Sequence, residues 1–93
     1  MITVYYLDGN RLLLTHYCEA GNQPRMQATS FPPQSNAIDF RFLDATNLAS
    51  PNAGHMHDAV ITFRGPNEVS EDWTFWANGK PSFTVPIVYH RAN

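Results

Sequence analysis

No stretch of this chain keeps a helical period for ten residues. Its apolar and β-branched residues fall instead into seven short runs, each cut off by glycine, proline, asparagine or aspartate. A chain divided this way buries apolar surface by pairing each run with its neighbour. The spacing predicts strands over residues 2 to 7, 11 to 18, 25 to 31, 37 to 44, 57 to 64, 69 to 77 and 82 to 90. The expected fold class is all-β, an antiparallel up-and-down meander curled into a partial or closed barrel, as a single domain over residues 1 to 93.

The turns carry the connectivity. Leu7-Asp8-Gly9-Asn10-Arg11 separates the first two runs, and a three-residue loop there pairs Leu7 with Arg11, so that Tyr6 faces Leu12, Val4 faces Leu14 and Ile2 faces His16. Asn78-Gly79 favours a type I′ hairpin between the last two strands. Phe31-Pro32-Pro33-Gln34-Ser35-Asn36 reads as a wide turn, because proline brings no N–H to a ladder. The longest stretch without strand character runs from Asp44 to Gly54, where Ser50-Pro51 can start at most one helical turn. A loop of this length beside a barrel mouth is a natural place for a binding element.

Composition removes several function classes. With 93 residues the chain supports one core. Its formal charge is −2, with one lysine, Lys80, among six Lys and Arg, so the clustered cations that neutralise nucleic-acid phosphates are missing. No apolar run approaches the roughly 20 residues of a membrane helix, and the first residues lack the pattern of a signal peptide, so a cytoplasmic location is expected. One cysteine, Cys18, allows no internal disulfide and no multi-cysteine zinc site.

Three stretches together resemble an uncharacterised bacterial family with a lipocalin-like, calycin-type β-barrel. They are Thr15-His16-Tyr17-Cys18 with Gly21-Asn22-Gln23-Pro24-Arg25-Met26, then Asp44-Ala45-Thr46-Asn47-Leu48 with Ser50-Pro51, and Gly54-His55-Met56-His57. Val4-Tyr5-Tyr6-Leu7-Asp8-Gly9 and Glu71-Asp72-Trp73 are similar to it as well. The resemblance implies a barrel with no established activity. It is to the C-terminal part of longer proteins, which implies a barrel that closes incompletely or through a second copy.

Candidate site residues follow from the strand faces. His16 and Cys18 lie two apart, on the face of Leu12 and Leu14, and His55 and His57 share that spacing at the start of the fifth strand. Were these faces to meet, His16, His55 and His57 could ligate zinc, or one histidine could hold a haem, with Asp58 as a base; the plainer account of all four is core packing and loop hydrogen bonds. Cys18 as a nucleophile with a histidine and Asp44 or Asp58 has no spacing to support it. Arg25 can bind an anionic head group, or pair with Asp44, Asp58, Glu71 or Asp72. Ile38, Phe40 and Phe42 alternate with Asp39, Arg41 and Leu43, which gives the fourth strand one dry face.

The function expected from these residues is a small-molecule binding module with an apolar or aromatic ligand inside the barrel, near Tyr6, His16, Cys18, Arg25, Phe42, His57 and Trp73. No cofactor is expected, with haem or zinc as the exceptions to test. The alternatives are a metal-assisted enzyme built on the histidines and a half-barrel that dimerises without a ligand. Two unpaired sheet edges point to a homodimer through the first or last strand.

Overall fold

The computed structural model describes residues 1–29 and 36–92. The chain forms β1 (Ile2–Asp8), β2 (Arg11–Tyr17), β3 (Gln23–Ala28), β4 (Ala37–Thr46), β5 (His55–Phe63), β6 (Glu68–Ala77) and β7 (Lys80–His90). They make one antiparallel sheet in the order of the sequence, a meander that curls into a partial barrel and leaves β1 and β7 as edges. No helix occurs among the described residues. The helical turn expected near Ser50-Pro51 is a tight turn closed by Ala53 N–H donating to the Ser50 carbonyl at 3.0 Å. The wide proline turn, as far as Ser35, lies outside the described residues.

The hairpin turns follow their residues. Asn78 (φ 57°) and Gly79 (φ 75°) both take positive φ, the type I′ pattern, and Ala77 faces Lys80. The first hairpin is tighter than expected. Gly9 alone takes positive φ (62°), the type II′ pattern, so the loop has two residues and Asp8 faces Arg11. Every partner therefore shifts: Leu7 faces Leu12, Tyr5 faces Leu14 and Thr3 faces His16. A one-residue shift reverses the strand's faces. Tyr5 thus joins the inward row, and Tyr6 turns outward, its hydroxyl 3.1 Å from Thr15 Oγ1.

The prolines fit the ladder because they stand where no donor is needed. β3 starts two residues earlier than expected, with Pro24 buried, since the β2–β3 register runs only from Leu13↔Gln27 to Thr15↔Arg25. Pro24 lies beyond its end and faces Ala45 of β4 alone. Pro81 and Pro86 are on β7, an edge strand with one free side.

Inward alternation gathers Leu14, Met26, Phe40, Met56, Ala59, Ile61 and Trp73 into one core. Each strand supplies little, so burial has to come from the whole curl. Fully burying one such side chain stabilises the fold by about 1.5–3 kcal/mol. Partly buried Leu12, Ile38, Val69, Phe75, Val85 and Ile87 extend the core towards the edges.

Candidate functional site

The curl of the sheet brings its two edges to opposite sides of one cavity, of about 370 Å³. Thr3 and Tyr5 of β1 and Val85, Ile87 and Tyr89 of β7 face it, while His16, Met56, Glu71 and Trp73 line it from the strands between. The volume suits a small organic ligand. Tyr5 and Tyr89 remain about half exposed, so the space is open to solvent between the edges.

His16 is the most constrained polar group there. It is 5% exposed, its ring lies 4.6 Å from that of Trp73, and its Nδ1 lies 2.9 Å from Thr3 Oγ1. Its Nε2 is buried, with no hydrogen-bond partner among the described residues. Burial lowers the His16 pKa from its ordinary value, with the nearby N-terminal ammonium acting in the same direction, so the ring is held neutral. An unsatisfied buried nitrogen costs on the order of 1–3 kcal/mol. Asn22 Oδ1 and Trp76 Nε1 are buried without a partner in the same way.

Glu71 is the second polar group of the cavity. On β6, Val69, Glu71, Trp73 and Phe75 share one face, and the register neighbours of Glu71 are Ile61 of β5 and Ile87 of β7. Trp73 Nε1–H donates to Glu71 Oε1 at 2.8 Å. Burial, and then the charge of Glu71, push the Tyr5 hydroxyl pKa up to about 12, with Tyr89 adding to the shift. A second, drier cavity of about 320 Å³ lies on the other side of Tyr5 and Glu71, walled by Leu12, Ile38, Phe40, Ile61, Phe63 and Val69.

His55 and His57 belong elsewhere. The β5–β6 register shifts between Met56 and Asp58 and leaves His57 unpaired in the ladder, and such a bulge re-aims a side chain. Its ring stacks between Phe42 at 4.6 Å and Trp76 at 4.0 Å. His55 Nδ1 lies 2.8 Å from the Ala53 carbonyl and must donate to it, so in the neutral pair His57 Nδ1–H donates to His55 Nε2 at 2.9 Å. That leaves the lone pair of His57 on Nε2. Burial lowers the His57 pKa; Asp58 opposes this and His55 adds to it. The pair lines an open cavity of about 610 Å³ with Phe42, Leu48 and Pro51.

Of the residues expected to form one site, His16 and Trp73 do meet. Phe42 and His57 meet each other, but at the other cavity. Tyr6 faces outward, for the reason of register given above. Arg25 is also outside the barrel cavity: its Nε and Nη2 donate to Asp44 at 2.6 and 2.5 Å, a bidentate pair that draws the Asp44 carboxyl below its ordinary range. Both partners are largely exposed, so this pair adds little stability. Cys18 is half-buried against the core, with Ala20 N–H 3.5 Å from its sulfur, and lines neither cavity. His16 does not join the histidine pair, and among the described residues no group of three or more His, Cys, Asp or Glu is placed to hold a metal ion.

Tyr5, Glu71 and Tyr89 line the cavity without having been expected there. For Glu71 the signal was present: the alternation of β6 puts it in phase with Val69, Trp73 and Phe75. Comparison with protein-family models, with curated proteins and with solved structures finds no match for this chain. No helix among the described residues is long and apolar enough to cross a membrane.

Proposed function

We propose that the protein is a small-molecule binding module that holds an apolar or aromatic ligand in the half-open interior of its barrel. The observation that carries this is the cavity of about 370 Å³ between the sheet edges, mainly apolar, with the buried His16 ring in its wall. Met56, Trp73, Val85 and Ile87 supply apolar contact, and Tyr5, His16 and Tyr89 share the lining. A cytoplasmic location is proposed with this reading.

A thermal-shift screen of small aromatic compounds tests the proposal. A ligand at a hundredfold its Kd stabilises the folded state by about 2.7 kcal/mol, which raises the melting temperature by several degrees in a domain of this size. We expect such hits with the wild type and their loss in His16→Ala. That variant loses the Thr3 contact and the ring contact with Trp73 but also the unsatisfied nitrogen, so its own melting point should fall by less than about 1–2 kcal/mol would produce. A larger fall, with hits unchanged, would assign His16 to the core alone.

The module is proposed to work as a homodimer through β1. Ile2, Val4 and Leu7 are exposed on this edge strand, which has one hydrogen-bonded neighbour and no proline. The opposite edge, β7, carries Pro81 and Pro86, which blunt pairing there. Two antiparallel β1 strands satisfy a two-fold axis. Light scattering at micromolar concentration should give twice the monomer mass, and a monomer for Val4→Lys; a monomeric wild type counts against the pairing.

A further inference from the structure

Glu71 puts a carboxylate in the wall of the cavity. Its carboxylate stands in the inward row between Ile61 and Ile87, on a residue that is partly buried. Trp73 Nε1–H satisfies one of its oxygens. No Lys, Arg, His or amino terminus among the described residues forms an ion pair with it, whereas Arg11, Arg25, Arg41 and Arg64 all have carboxylate partners on other parts of the surface. It is also the only charged side chain among the described residues lining this cavity. A carboxylate partly withdrawn from water is costly without a cation, so its position asks for one.

The surroundings have the chemistry of a cation site. Tyr5, Trp73 and Tyr89 line the same space as Glu71, and the faces of aromatic rings attract ammonium groups. Among the described residues no Lys or Arg lines the space; its one cationic group is the amino terminus of Met1, whose charge acts on His16.

We propose that the occupant of the barrel cavity is an organic cation, an ammonium on a short aromatic or aliphatic skeleton, with Glu71 as its counter-ion and Tyr5, Tyr89 and Trp73 around the charge. This rests on the binding-module reading above and adds the ligand's chemical class to it. The skeleton lies along Met56, Val85 and Ile87.

Three probes of one shape separate the possibilities: 2-phenylethylamine, 2-phenylethanol and 3-phenylpropanoate, titrated at neutral pH with calorimetry. The amine should bind at least about tenfold more tightly than the alcohol, through the charge contact and the aromatic faces, and the carboxylate least of all. Glu71→Gln keeps an oxygen for Trp73 Nε1–H and should bring the amine down to the level of the alcohol. Alcohol binding as tight as amine binding, or a preference for the carboxylate, overturns the cation proposal and leaves the binding module standing. Binding of none of the three overturns both. The wild-type comparison decides the matter even if Glu71→Gln does not fold.

Discussion

Phe40→Ala should lower stability by about 3–5 kcal/mol, the range for truncating a fully buried phenylalanine. Phe40 is 1% exposed, belongs to the core and meets Tyr5 edge to face, with ring centroids 5.9 Å apart. A domain of 93 residues has a total stability of about 5–14 kcal/mol, so the loss would take a large share of it. The melting temperature should fall by about 12 °C or more. The variant also removes the support behind Tyr5, which stands between the two inner cavities, so ligand affinity should fall in whatever fraction remains folded. Phe40→Leu, which keeps most of the volume, should cost less than about 1.5 kcal/mol. Urea melts of the two variants check this. A loss below about 1 kcal/mol for alanine would mean that the space at Phe40 collapses freely and that the sheet is less tightly curled than described.

The strands were legible because their limits are chemical. Gly9, Asn78 and Gly79 take backbone conformations that few residues adopt, and they mark the two hairpins whatever the rest of the chain does. What the residues Asp8-Gly9-Asn10 did not settle was loop length. A glycine at the first of two turn positions and a three-residue loop look alike in sequence, and choosing the longer loop exchanged Tyr5 for Tyr6. The fourth strand outran its expected end for a different reason. Ala45 and Thr46 continue opposite Pro24 and Gln23, long-range pairing that no local propensity encodes.

The site was legible where alternation alone decides it, as for His16 beside Leu14 and for Trp73. It was illegible where a bulge intervenes. The extra residue His57 leaves no mark in sequence, yet it moves a ring from the ladder into a stack with Phe42 and Trp76. Arg25 shows the opposite case. Its pairing with an acid was the plainer of two readings, and Asp44 came within reach because β3 and β4 are hairpin neighbours. Glu71 was expected only as one possible partner of Arg25, although the phase of Val69, Trp73 and Phe75 puts it on their face.

Gly54→Ala should be destabilising by about 1–3 kcal/mol through overpacking alone. A Cβ built at Gly54 would stand 2.6 and 2.9 Å from two carbons of the Phe75 ring, closer than carbon atoms tolerate. Gly54 has no positive φ, so backbone strain plays no part. The ring cannot simply swing aside, because Phe75 packs against the core and stacks on Phe83 with centroids 5.0 Å apart. The Gly54 carbonyl also accepts a bond from Asn22 Nδ2–H at 2.9 Å, which ties the segment before β5 to the turn between β2 and β3. A shift of Gly54 is therefore felt at both places and at its neighbour His55, whose Nδ1 is held by Ala53. The double variant Gly54→Ala, Phe75→Leu separates clash from other effects. Removing part of the ring should make the alanine cost less in that background than in the wild type, an interaction of at least about 0.5 kcal/mol between contacting residues. Equal costs in the two backgrounds, read from urea midpoints, would show that the Phe75 ring does not fix this segment against the sheet.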